Sequence, residues 1–94
     1  MKILIADDDP LVCQSLSVML GSEKDFDIVG TAGNGKEALE FCREEAPDVV
    51  LMDIRMPVMD GIESTRRIKS EFPHIQVMML TTFRDEPNIR SALQ

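Results

Sequence analysis

Three acidic residues stand where strand-like runs end: Asp7 and Asp8 follow Lys2 to Ala6, and Asp53 follows the continuous apolar run Val49-Val50-Leu51-Met52. Carboxylates gathered in one crevice repel one another unless a cation joins them. An oxygen-only donor set favours a hard ion, and Mg²⁺ typically binds through one or two carboxylates while keeping waters and accepting phosphate oxygens. A carboxylate can itself accept a phosphoryl group when metal and positioned donors neutralise the transferring charge. Thr81, ending the run Ile75 to Leu80, could supply a hydroxyl donor. Each residue also has a plainer reading. Asp7 to Asp9 alone are equally an acid-enriched helix N-terminus, and a threonine at a strand end is ordinarily a β-former. Asp53, ending a strand of the kind covered on both faces, tips the balance toward the metal.

These residues can meet only if the chain folds in a particular way. Lys2 to Ala6 read as a strand, and Asp9-Pro10 supply an N-cap followed by proline in the first helical turn. Leu11, Val12, Leu16, Met19 and Leu20 recur at helical spacing, with Gly21 predicted as a left-handed cap. Phe26 to Thr31 read as a second strand, Asn34-Gly35 as turn and cap, and Ala38, Leu39 and Cys42 as the buried stripe of a helix ended by Pro47. Asp60-Gly61 open a third helix with Ile62, Thr65, Ile68 and Phe72 on its inward side, and Pro73 stops it before the fourth strand. Pro87, Ile89 and Leu93 begin one more helix, about two turns before Gln94. Regular strand–helix alternation implies right-handed βαβ units and a parallel sheet with helices on both faces, an α/β fold. Ligands of doubly wound sheets sit beyond the carboxyl ends of the strands where the order reverses. The flavodoxin-like order 2-1-3-4 puts Asp7, Asp8 and Asp53 there together.

Composition narrows the function. The chain has 94 residues, enough for one small domain. Its net charge of −7, from 10 basic and 17 acidic residues, opposes direct contact with phosphate backbones. The start MKILIADDD is too short and too acidic for a signal peptide, and no apolar run approaches membrane-spanning length, so a cytoplasmic location is expected with no membrane partner. Cys13 and Cys42 lack zinc or redox spacing and read as buried thiols. His74, in a turn, carries no chemistry, the methionines read as core and loop packing, and Glu40, Arg43, Glu44 and Glu45 as a solvated helix face.

The segments ADDDP at 6–10, LMDIRMPVMDG at 51–61 and MLTTF at 79–83 resemble the receiver domain of bacterial two-component response regulators. The MPVMDG element is the most specific of them, and the likeness runs along the whole chain. The wording is most similar to the NarL/LuxR-type class, whose members carry a helix-turn-helix output domain after the receiver. The resemblance implies that Asp53 takes a phosphoryl group from a phosphohistidine of a sensor histidine kinase or from a small phosphodonor. It implies Mg²⁺ held by Asp7, Asp8, Asp53 and the backbone carbonyl of Arg55, with Thr81 swinging toward the phosphoryl oxygens. It implies a signalling phosphoprotein in transcription regulation rather than an enzyme, with DNA reached only through an output domain. Arg55 and Phe83 would fringe the path of the hydrolytic water. Arg55 is equally a solvated charge and Phe83 equally a loop anchor.

The chain also departs from the family pattern. Receivers carry a lysine at the end of a fifth strand and an aromatic residue on that strand, whereas the lysines here are at positions 2, 24, 36 and 69. Residues 1–94 are therefore expected to be one incomplete receiver domain lacking strand 5, helix 5 and most of helix 4, with the output domain absent. A final helix with no cap, leaving carbonyls and apolar side chains unsatisfied, favours a fragment of a longer regulator over a natural short protein. Such a fragment is expected to be destabilised, to hold phosphate poorly, and to self-associate through its exposed fourth strand or by exchanging elements. Two other function classes stay open. One is a truncated, phosphorylation-incompetent interaction or dimerisation module. The other is an aspartyl-phosphate phosphotransferase or phosphatase, which usually carries a second Asp two residues after the nucleophile, where Arg55 stands here.

Overall fold

The computed structural model describes residues 1–80, and the expectations for Thr81, Phe83 and the helix from Pro87 lie outside the described residues. Four strands, β1 (Lys2–Ala6), β2 (Asp27–Ala32), β3 (Val49–Asp53) and β4 (Gln76–Leu80), alternate with three helices, α1 (Pro10–Gly21), α2 (Gly35–Glu45) and α3 (Gly61–Glu71). The strands form one parallel sheet in the order β2-β1-β3-β4, the expected flavodoxin-like arrangement. Ala6 pairs with Met52 and Asp53 with Leu80, so β1, β3 and β4 end at one rim of the sheet.

Strand alternation sends side chains to opposite faces. On one face Leu4, Ala6, Val50 and Met52 pack with Ala38, Leu39 and Cys42 of α2 and Ile68 of α3. On the other, Ile3 and Ile5 pack with Cys13 and Leu16 of α1.

Local chemistry sets where each helix begins. Asp9, Asn34 and Asp60 are the N-caps, their side chains accepting from the backbone N–H groups of Leu11, Glu37 and Glu63 at 2.8–2.9 Å. The ends depart from expectation. Gly21 is the last residue of α1, the cap is Ser22 in right-handed conformation, and no described glycine has positive φ. Ser22 Oγ donates to the Met19 carbonyl at 2.8 Å, which satisfies that end without a left-handed turn. In α2 the left-handed cap is Ala46, one residue before the predicted stop at Pro47.

Two helical faces also differ from the reading above. In α1 the buried residue is Cys13, while Leu11 and Met19 are 68% and 67% exposed. This helix is apolar on nearly every side, so periodicity alone could not choose the inward line. In α3 the buried line is Gly61, Ser64 and Ile68, and Ile62 faces solvent, about one-third of a turn away. Among the methionines, Met52 and Met56 are core, but Met78 is 60% exposed because α1 leans on β1 and β2 rather than reaching β4.

Candidate functional site

The three carboxylates arrive by different routes. Asp7 leaves β1 buried at 2% exposure, its backbone N–H donating to the Ala32 carbonyl at 2.9 Å, which extends the ladder with β2 by one residue. Its Oδ1 accepts from the Asp9 N–H at 2.8 Å, and its carbonyl accepts from Cys13 Sγ at 3.3 Å. Asp7 is thus held by the first turn of α1 as well as by the sheet. Asp53, the last residue of β3, has no exposed surface. Asp8 opens onto a cleft of about 540 Å³ that Ile54, Arg55, Met56, Pro57 and Asp60 also line.

One carboxylate oxygen from each of Asp7, Asp8 and Asp53 lies within 4.8 Å of the other two. Three like charges at such spacing raise one another's energy steeply at low dielectric, and a cation removes that cost. The donors are all oxygen, which suits a hard ion. Cys13, whose Sγ donates to the Asp7 carbonyl, is pushed up in pKa by burial and then by the Asp7 charge, which favours the neutral thiol. The residues present therefore fit Mg²⁺, with water and substrate oxygens reaching it from the cleft.

The loop between β3 and α3 is built from backbone contacts. Gly61 N–H donates to the Ile54 carbonyl at 2.8 Å, and a Cβ on Gly61 would stand 2.0 Å from the Asp53 carbonyl oxygen. Only glycine lets α3 start flush against the end of β3. Val58 has φ 68°, and Met59 N–H donates to the Pro57 carbonyl at 2.7 Å across it, a γ-turn of the rare positive-φ type. For a β-branched residue this conformation is strained.

Of the residues singled out from sequence, Asp7, Asp8 and Asp53 come together and Arg55 lines the same cleft, while Thr81 lies outside the described residues. Asp60, read only as a cap, also borders the cleft. His74 is on the surface, edge-on to Phe72 at 6.4 Å. Arg43 makes a two-pronged pair with Glu71 of α3, at 3.0 and 2.8 Å, on the exposed side predicted to be solvated. Gly35 and Ser64 were not singled out for the site, and neither carries a local signal of more than helix initiation or a polar helix position.

Residues 3–94 match the family model of the response regulator receiver domain. The chain belongs to the response regulator receiver family. This receiver is 47% identical over 93 residues to the transcriptional regulatory protein LnrK of Bacillus subtilis (strain 168), a match covering 99% of this chain and 42% of LnrK. It thus spans less than half the length of that curated relative. Among solved structures it superposes on a DNA-binding response regulator of the LuxR family from Staphylococcus aureus with TM-score 0.81 and 30% identity. That match covers 98% of this chain and 77% of the other. It superposes on a chain of the CheX–CheY–BeF₃–Mg²⁺ complex from Borrelia burgdorferi with TM-score 0.83 and 29% identity, covering 99% and 70%. Receivers are phosphorylation-dependent signalling modules of two-component systems, and their acidic pocket binds Mg²⁺. Among the described residues no helix is long and apolar enough to cross a membrane.

Proposed function

We propose that Asp53 accepts a phosphoryl group from the phosphohistidine of a sensor histidine kinase, or from a small phosphodonor, and so switches a transcription regulator. The observation that carries this reading is the cluster of Asp7, Asp8 and Asp53 oxygens within 4.8 Å at the rim of the sheet. An Asp53 carboxylate oxygen attacks phosphorus in line with the departing imidazole nitrogen. The O–P bond forms as the N–P bond breaks, and the electron pair leaves with the imidazole. Asp7, Asp8, Asp53 and the Arg55 carbonyl would hold Mg²⁺, which neutralises charge on the transferring group. The phosphodonor would approach from the cleft lined by Asp8 and Arg55. The Thr81 hydroxyl would donate to the new phosphoryl oxygens and pull its loop toward them.

Residues 1–94 would form the phosphoacceptor unit of a longer cytoplasmic regulator, with DNA contacted by an output domain outside this chain. The match to less than half of LnrK, a transcriptional regulatory protein, supports that division. In the presence of Mg²⁺ and beryllofluoride, a bound fluorine resonance is expected for the chain and not for Asp53→Ala. An identical signal from both would overturn the assignment of Asp53.

A second reading, self-association, is favoured by one observation. Among the described residues β4 is the last strand on its side of the sheet, with Met78 60% and Met79 40% exposed. Sedimentation velocity is expected to show mass rising with concentration, and a single monomeric boundary throughout would count against it.

A further inference from the structure

Gly35, at the start of α2, touches the end of the loop that borders the acidic cleft and the first turn of α3. Its N–H donates to the Met59 carbonyl at 2.8 Å, and its own carbonyl accepts from Ser64 Oγ at 2.8 Å. Gly35 and Ser64 are both buried, and Ser64 has no exposed surface. A Cβ on Gly35 would stand 2.3 Å from the Met59 carbonyl oxygen and 2.9 Å from that of Asp60, so the approach is backbone to backbone. The peptide unit it grips, between Met59 and Asp60, directly follows the γ-turn at Val58, a shape the loop would not hold unaided. The other end of the loop is tied by the Gly61 N–H to the Ile54 carbonyl. Arg55 lies between the two ties.

We propose that Ser64 and Gly35 are positioning residues for the acidic site: they lock the strained Val58 turn to α2 and thereby fix the backbone on which the Arg55 carbonyl is presented. The inference rests on the reading of Asp7, Asp8, Asp53 and the Arg55 carbonyl as Mg²⁺ ligands. Ser64 holds Gly35, Gly35 holds Met59, and the loop conformation that offers Arg55 follows. Groups that orient metal ligands from behind typically change affinity by about 10–100-fold when removed. Ser64 acts through Gly35 and Met59 rather than directly on the ligand, so the lower end applies.

Mg²⁺ is titrated by calorimetry into the full 94-residue chain, and amide exchange is measured without metal. Ser64→Ala is expected to weaken Mg²⁺ binding about tenfold. In the metal-free protein it is expected to speed exchange of the Gly35 amide while leaving Leu4 and Ile5 protected. Ile68→Val, which loosens the same helix away from the loop, serves as the stability control and should leave Mg²⁺ affinity unchanged. If Ser64→Ala does not fold, Ser64→Cys, which keeps a donor in place but a weaker and bulkier one, should show the same losses in smaller measure. Unchanged affinity in the Ser64 variants, or an equal loss in Ile68→Val, would overturn the inference. Asp8→Asn and Asp53→Asn separate the two levels: if they bind Mg²⁺ as the parent does, the reading of the site falls and the inference with it. If they lose it and the Ser64 variants do not, the inference alone falls.

Discussion

The two faces of the sheet are built to different standards. On the side of α2 and α3, a continuous buried cluster runs from Leu4 and Val50 through Cys42 and Ile68 to Ile75, and the two helices are tied by Arg43 to Glu71. On the side of α1 the buried residues among those described are Ile3, Ile5 and Cys13, while Leu11, Val18 and Met19 face solvent. The difference matters for the site, because Asp7 and Asp8 follow a strand gripped by α1, whereas the loop after Asp53 is wedged between α2 and α3. The dense face gives the site its rigid wall. The thin face leaves apolar surface of the kind that marks contact with other surfaces.

The largest effects should therefore fall on the dense side. Ile68→Ala, at a position with no exposed surface, is expected to cost about 2–5 kcal/mol in denaturant unfolding. Val18→Ala, 70% exposed on α1, should stay within about 0.5 kcal/mol. Equal losses would erase the distinction between the faces. Gly61→Ala follows, at about 1–3 kcal/mol, since its methyl would meet the Asp53 carbonyl and backbone yields poorly. It should also weaken Mg²⁺ binding, because the end of β3 must shift. A stable Gly61→Ala with unchanged Mg²⁺ affinity would contradict the account of the loop.

A smaller and more discriminating effect lies in pH. Burial, and then the Glu71 charge, raises the Cys42 thiol from 9.0 to about 11, and Cys13 rises in the same direction. Between those values the folded chain keeps a proton at Cys42 that the unfolded chain releases, so stability falls as pH rises across that window. Cys42→Ala should flatten that slope, measured as unfolding midpoint against pH, and Cys13→Ala should flatten it less. The reverse order would place the better-sealed core on the α1 side.

Much of this was legible in the sequence because the signals are local. Asp9 with Pro10, Asn34 with Gly35, and Asp60 with Gly61 announce helix starts through side chains that reach two or three residues ahead. Asp7, Asp8 and Asp53 then fall at strand ends by counting. The parallel sheet follows from right-handed crossovers, and its order from the flavodoxin-like arrangement. What escaped depends on partners distant in the chain. Ser64 reads as an ordinary polar helix residue until its acceptor, 29 positions away, is beside it. Val58 is a residue type that avoids positive φ, so its turn is imposed by Pro57, Met59 and Gly35 rather than by its own preference. In α1 Cys13 and Leu16 pack inward as expected, but Leu11 and Met19 were misread, because that helix offers apolar residues on nearly every side.

The central claim is that the clustered carboxylates make Asp53 a metal-assisted phosphoacceptor. Intact mass after incubation with acetyl phosphate, with Mg²⁺ and with chelator, tests it most directly on the chain and on Asp53→Ala. The account predicts an increase of one phosphoryl group that needs Mg²⁺, disappears in Asp53→Ala and decays when donor is removed. An increase that persists in Asp53→Ala, or no Mg²⁺-dependent increase at all, would contradict it.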